Sequence, residues 1–250
     1  VYNAWNWITA AEFPNVNIDL ISGMVGETWD NWKENIRKTV ELSPESVTIY
    51  QMELPYNTVI SKDILGNQVE SPVADWDTKR AWVQYAFEEL KSAGYSVSSA
   101  YTVVKDPNKV NFSYRDNLWQ GADLLATGIA SFGHANGVHY QNLAALEQYL
   151  GAIESGSLPL GRGFVPSDHQ RLVREMILLL KRGHLDAGYF REKFGVEILQ
   201  LFDKQWQGYV KDGYVKIDGD QIRLTVDGLL TVDGLLPAFF EPEFQGVRYT

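Results

Sequence analysis

Ser46–Thr58 (SVTIYQMELPYNT) limits what this chain can become more than any other segment does. Val47, Thr48, Ile49 and Tyr50 are β-branched or aromatic with no breaker among them, which predicts a strand. The run ends at Glu53-Leu54-Pro55, where the proline withholds a backbone donor and stops a sheet ladder. A second such run, Val16–Ser22 (VNIDLIS), precedes it and carries Asp19 among apolar neighbours. Between them, Thr28–Leu42 places Trp29, Trp32, Ile36 and Val40 three and four residues apart, the stripe of a helix lying on a sheet. Strand, helix and strand at these lengths predict a βαβ unit, the arrangement that delivers chemistry to the carboxyl ends of its strands.

The rest of the chain extends the pattern. Val1–Ala11 reads as the end of a helix, and Gly23 and Gly26 bracket the loop after the first strand. Val59–Val73 reads as a loop and Asp75–Ala93 as a helix stopped by Gly94. Tyr95–Lys105 reads as one more strand, giving a second βαβ unit. Ala122–Phe132 (ADLLATGIASF) is apolar and rich in small residues, which predicts a buried strand running into a polar loop, Gly133–Asn142. Leu143–Glu154 reads as a helix and Leu158–Gly163 as a domain boundary, dividing the chain into 1–157 and 158–250. Beyond it come a helix over Asp168–Lys181 with the Ser167/Gln170 capping-box pattern, short helices within 188–207, and a hairpin turning at Asp218-Gly219-Asp220. Asp227–Phe240 reads as a closing helix. Helices followed by a β-wing predict a small winged-helix-like module that serves for packing or as a lid.

Charge and composition exclude several functions. The net charge of −10 argues against a nucleic-acid partner, and no apolar run approaches the ~20 residues that span a bilayer. With no signal peptide in view, a cytoplasmic location is expected. The 250 residues contain no cysteine, so they offer neither disulfides nor thiolate metal ligands. The chain opens at Val1 in helix-like sequence, which suggests a fragment.

Several residues are candidates for chemistry. Asp19 and Glu53 sit on successive strands and could form an acid/base pair, as in glycoside hydrolysis. Asp19, flanked by Leu20 and Ile21, is expected to be buried, with a substrate hydroxyl, a backbone amide or a core partner to satisfy it. His134 and His139 lie five apart and could ligate a metal or haem iron, or simply hydrogen-bond within a loop. His169 and His184 read as capping or surface residues. No GxGxxG, P-loop, nucleophile elbow or HExxH occurs.

NIDLISGM (Asn17–Met24), SVTIYQMELP (Ser46–Pro55) and LATGIASFGH (Leu125–His134), followed by YQN (Tyr140–Asn142), appear in that order. HQRLVREMILLLKRGHLDAGYFREKFG (His169–Gly195) and LTVDGLL (Leu224–Leu230) follow. The ordered set resembles the carboxyl-terminal half of the radical S-adenosylmethionine enzymes related to oxygen-independent coproporphyrinogen III oxidase, a family that includes haem chaperones and radical methylases. The resemblance implies an α/β fold: the carboxyl-terminal part of an incomplete (β/α)6 barrel, followed by the family's own carboxyl-terminal domain. It also implies S-adenosylmethionine and a [4Fe-4S] cluster as cofactors. The cluster's CxxxCxxC loop would lie in an amino-terminal part of the barrel outside these residues.

Carried over by position, Asp19 matches the family acid that contacts a bound S-adenosylmethionine, or substrate in the second-ligand position. Met52 matches the residue whose backbone meets the adenosyl group, and Phe132 an apolar residue beside the adenine. Glu53, His134 and Tyr140 are the implied substrate contacts, and Glu53 stands where the oxidases commonly have histidine. The implied function is oxidative decarboxylation or methyl transfer on a tetrapyrrole or other conjugated small molecule, with these residues supplying an adenosine-binding wall and a lid. Without cluster cysteines the chain alone is expected to be inactive. The alternatives are a haem-binding chaperone module and a barrel hydrolase using Asp19 and Glu53.

Overall fold

The computed structural model describes residues 1–54, 58–66 and 73–245; the expected strand stop at Pro55 lies outside them. The chain opens with α1 (Tyr2–Ala10) and β1 (Asn17–Ser22). α2 (Trp29–Leu42) follows, begun by Thr28, whose side chain accepts from Asn31 N. β2 (Ser46–Gln51) pairs with β1 in parallel, Asn17 opposite Ser46 and Ser22 opposite Gln51, so the expected βαβ unit is present.

The segment expected to be loop contains a short helix, α3 (Val59–Leu65), before α4 (Trp76–Ser92). The second βαβ unit does not form. Its single strand is instead two, β3 (Ser96–Ser99) and β4 (Thr102–Val104), reversing at Ala100-Tyr101, and β4 runs antiparallel to β2. The sheet order is β1-β2-β4-β3, and among the described residues nothing pairs with the outer edge of β1. α2 and α4 cover one face, where Val47, Ile49 and Val103 meet Trp32, Ile36, Trp82, Phe87 and Leu90. Trp32 Nε1 donates to Trp82 O at 2.8 Å, which satisfies an indole buried in that core.

After α5 (Ser113–Trp119), the expected buried strand over Ala122–Phe132 is absent. The segment is irregular and partly exposed, holding one isolated bridge between Leu124 and His134. What was expected as a polar loop is a hairpin, β5 (Phe132–Ala135) and β6 (Val138–Asn142). Its two-residue turn is Asn136-Gly137, both with positive φ (48° and 75°), the conformation that suits this dipeptide to a tight hairpin. α6 (Leu146–Glu154) leads to β7 (Leu160–Phe164), which pairs with β6, so the stretch expected as a boundary is the third strand of this sheet.

The carboxyl-terminal part begins with α7 (Asp168–Leu180), whose Ser167/Gln170 capping box forms as expected. β8 (His184–Asp186), α8 (Ala187–Phe194), α9 (Ile198–Leu201) and α10 (Asp203–Lys211) follow. β9 (Val215–Asp218) and β10 (Gln221–Leu224) make the expected hairpin, and β8 adds a third strand in the order β8-β10-β9. The expected closing helix is broken into α11 (Val226–Leu230), α12 (Val232–Leu235) and a 3₁₀ turn over Leu236–Phe239, where Pro237 cannot continue an α-helix. These elements enclose a second core around Leu172, Met176, Phe190, Ile198, Trp206, Ile222 and Phe239.

Candidate functional site

The βαβ unit leaves one face of its sheet open. In register across β1 and β2, Ile18, Leu20, Val47 and Ile49 point toward the helices, and alternation turns Asn17, Asp19, Ile21, Ser46, Thr48 and Tyr50 to the other side. Asp19 is therefore exposed, not buried as its apolar neighbours suggested: among the described residues β1 has a single strand neighbour, and Asp19 lies on the face turned away from α2 and α4. Its carboxylate accepts from Asn17 Nδ2 at 2.7 Å, and Asn17 Oδ1 accepts from Ser46 Oγ (2.8 Å) and Thr48 Oγ1 (3.1 Å). A polar ladder thus crosses the two strands with Asp19 at its end.

The strand ends are pinned by a residue that sequence reading passed over. Lys79, in the first turn of α4, is 4% exposed and donates to Met52 O at 2.6 Å. Burial lowers its pKa, while Glu53 and Asp75 pull the other way. Its stem lies against Gly23, where an added Cβ would come within 2.8 Å of it and where φ is +87°. Glu27 closes the same loop by accepting from Gly23 N (2.7 Å) and Met24 N (3.2 Å). Met52 N donates to Ser22 O at 2.8 Å, so both backbone groups of Met52 are engaged within the chain. Ser22 Oγ and Gln51 Oε1, opposite one another at the strand ends, are buried without a hydrogen-bond partner.

Beyond the end of β2 a cleft of about 690 Å³ separates the sheet from the carboxyl-terminal part, with Tyr50, Glu53, Trp76, Arg80, Tyr101 and Lys181 on its walls. Across it, Tyr101 donates to Asp233 (2.7 and 2.6 Å) and Lys181 Nζ lies 2.8 Å from Asp233 Oδ1. Burial raises the Tyr101 pKa, and the Asp233 carboxylate raises it further, so the phenol stays protonated as a donor. With Ala100 N donating to Lys181 O (2.8 Å), this contact ties the two parts of the chain together.

The remaining candidates occupy the β5–β6–β7 sheet. Phe132 is 64% exposed, with Arg162 6.0 Å from its ring, so it is not part of a core. Tyr140 lies opposite Gly133, and its hydroxyl accepts from Ala126 N at 2.9 Å. His134 and His139 are directly opposed across the hairpin with ring centroids 4.7 Å apart. Burial lowers the pKa of both, and the Arg174 charge adds to it, so both imidazoles are neutral at neutral pH. The structure therefore gathers Asp19, Met52 and Glu53 at one sheet, and Phe132, His134 and Tyr140 at another. Glu53 is exposed and makes no hydrogen bond to Asp19. Among the described residues no cluster of three or more His, Asp or Glu could hold a metal ion, and no helix is long and apolar enough to cross a membrane.

Residues 167–231 match the family described as the HemN C-terminal domain. The chain is 26% identical over 254 residues to the oxygen-independent coproporphyrinogen III oxidase of Thermostichus vulcanus, covering 95% of this chain and 77% of that protein. It is 23% identical to the same-named protein of Synechocystis sp. (96% and 54%) and 24% identical to the heme chaperone HemW of Lactococcus lactis (91% and 59%). Among solved structures, that reported as "Coproporphyrinogen III oxidase (HemN) from Escherichia coli is a Radical SAM enzyme" superposes with a TM-score of 0.76 at 20% identity, over 95% of this chain and 57% of that one. This chain thus resembles the carboxyl-terminal part of these proteins and spans only about half the length of several of them. The expected resemblance and the α/β fold class are both observed.

Proposed function

We propose that this chain is the carboxyl-terminal portion of a radical S-adenosylmethionine enzyme, contributing an adenosine-binding wall and a lid to a site completed by other residues. The observation that carries the reading is the uncovered face of the βαβ unit. A polar ladder ending in Asp19 lies on it, beside strand ends where Ser22 Oγ and Gln51 Oε1 have no partner. Asp19 is free on its outer side to accept from ribose hydroxyls or an amino group. Met52 approaches the nucleoside through its side chain or the second lone pair of its carbonyl, since its N–H is held by Ser22 and its oxygen already accepts from Lys79. The cleft walled by Tyr50, Trp76 and Tyr101 takes a conjugated substrate, and the carboxyl-terminal part closes over it to exclude water. Phe132, His134 and Tyr140 belong to a neighbouring wall on this reading.

S-adenosylmethionine would supply the radical chemistry. A [4Fe-4S] cluster does not fit this chain: the 250 residues contain no cysteine, and no other cluster-ligating set occurs among the described ones. Cluster ligation, and with it hydrogen abstraction, therefore belongs to residues outside this sequence. Decarboxylation or methyl transfer on a tetrapyrrole, a cytoplasmic location, and partnership with an amino-terminal barrel half are parts of the same proposal.

Anaerobic reconstitution of the whole gene product with iron, sulfide, reductant and S-adenosylmethionine should release 5′-deoxyadenosine. Asp19→Ala should cut that yield about tenfold, the effect of losing one charge-assisted contact. The 250 residues alone should release none. Release by these residues alone, or an Asp19→Ala protein with full yield, would sink the reading.

A second reading, haem delivery, is favoured by the neutral pair His134 and His139 and by the likeness to HemW. A Soret band on haem titration that disappears with either histidine replaced by alanine would select it; an unchanged band would discard it.

A further inference from the structure

The seam between the β5–β6 hairpin and α7 contains an arginine with nothing to bind. Arg174 lies in the middle of α7 and is partly buried, and among the described residues it makes no hydrogen bond or ion pair. Its neighbours on the helix are occupied. Arg171 is paired with Asp168. Buried Glu175 accepts from Lys193 Nζ (2.7 and 2.9 Å) and from the Tyr189 hydroxyl (2.8 Å). Burial lowers its pKa, and the charge of the Glu175 carboxylate opposes that shift.

Two cavities meet at this arginine. On one side is a polar recess of about 320 Å³ lined by His134, Asp123 and two ion pairs, Arg171 with Asp168 and Lys193 with Glu175, which leaves Arg174 as its unpaired cation among the described residues. There His134, 6% exposed, presents a buried Nδ1 with no hydrogen-bond partner, 4.0 Å from Asp123 Oδ1. On the other side is a chamber of about 230 Å³ whose walls are Phe164, Pro166, Val173, Ile177, Phe240 and Phe244, with His139 at its edge. Glu241 also borders the chamber, but its carboxylate accepts from Gln170 Nε2 (2.7 Å) and makes no ion pair with Arg174. Positive charge, an orphaned imidazole nitrogen and an adjoining apolar chamber thus converge on one point. The chamber is smaller than the ~300–1,000 Å³ usual for ligand pockets, which limits the occupant to a small body.

We propose that this seam binds a small monocarboxylate with an apolar body, its carboxylate on Arg174 beside the His134–His139 pair and its hydrocarbon in the chamber against Phe164, Ile177 and Phe240. A carboxylate suits a single planar guanidinium, which can hold both of its oxygens at once. The neutral imidazoles supply hydrogen bonds without adding charge. The site is separate from the strand ends of β1 and β2, and it stands independently of the radical reading.

Isothermal titration of the full chain with octanoate tests the assignment. Saturable binding at one molecule per chain is expected, with 1-octanol and acetate each bound at least about tenfold more weakly, the former lacking the charge and the latter the apolar body. Arg174→Met should weaken octanoate about tenfold, and Arg174→Lys should retain most of the affinity. Circular dichroism and thermal unfolding establish that each variant is folded. Should Arg174→Met not fold, the comparison of octanoate with octanol and acetate on the unaltered chain still decides. The proposal is overturned by absence of saturable octanoate binding, by octanol binding as tightly as octanoate, or by a folded Arg174→Met that binds unchanged. Inorganic phosphate binding as tightly as octanoate would equally overturn it, since the site would then be a general anion hole.

Discussion

The chain holds two hydrophobic cores that differ in what they leave open. The carboxyl-terminal core is packed between helices and the β8–β10–β9 sheet, and the buried Glu175 beside it is answered by Lys193 and Tyr189. The amino-terminal core lies on one face of a four-stranded sheet, and the opposite face carries Asp19, Ile21 and Tyr50 to solvent. Buried groups without a hydrogen-bond partner occur in both parts: Ser22 Oγ and Gln51 Oε1 at the open sheet, Trp82 Nε1 in the core beneath it, and Arg182 Nε just after α7. The closed region spends its residues on stability, and the open one holds chemistry in reserve.

Substitutions can break or sharpen that contrast. The largest effect is expected at the closed core: Trp206→Ala, at a site 2% exposed with its indole donating to Ile198 O, should cost about 3–5 kcal/mol in denaturant unfolding. A loss below about 1 kcal/mol would mean that this core is not closed. Next comes Glu175→Gln, which leaves Lys193 partly buried without its carboxylate; about 1–3 kcal/mol should be lost, moderated because the lysine is 39% exposed. Burial alone would depress Lys193, but the hydrogen bonds it donates to Glu175 and Tyr189 outweigh it and hold its pKa above the ordinary value. Stability from this pair should therefore be intact below about pH 10 and fall as pH rises through the raised value, a fall absent in Glu175→Gln.

At the open sheet, Gly23→Ala must adopt a positive φ and displace the Lys79 stem, with an expected cost of about 1–2 kcal/mol. For His134 and His139 the sign is set by depressed values: burial leads, Arg174 adds to it, and for His134 Asp123 and Glu175 oppose. The unfolded chain then takes up protons first, below about pH 6.5, so stability is full above that pH and declines as pH falls toward the folded values. Urea titrations between about pH 5 and pH 7.5 should show this slope, and it should flatten in the His134→Gln/His139→Gln variant. The smallest effect belongs to Tyr50→Ser on the open face, expected within about 0.5 kcal/mol. A loss of several kcal/mol there would show that the face is covered.

Local patterning in the sequence was readable where residue chemistry acts over a few positions. Thr28 caps α2, Ser167 and Gln170 form their box, and the glycine at 219 turns the wing. What eluded it depended on distant neighbours. The reversal at Ala100-Tyr101 is stabilised by Lys181 O and Asp233, more than eighty residues on, so a single strand was the natural expectation. Asn136-Gly137 did signal a hairpin, but its flanks mix Phe132, Val138 and Tyr140 with His134, His139, Gln141 and Asn142, and that polar content hid the strands. Asp19 was expected inside because its neighbours are apolar, and its place on the face turned away from α2 and α4 puts it outside. Lys79 and Arg174 look like ordinary surface cations on amphipathic helices; the single available hint was that Arg174 and Glu175 sit beside buried Leu172, Val173 and Met176.

Lys79 joins three parts that the backbone keeps apart. One ammonium group reaches the peptide oxygen of Met52 while its methylenes brace the bend at Gly23, and both are fastened to the opening turn of α4. The two strand tips and the helix start thus share one fastening, and its loss would free all three at once.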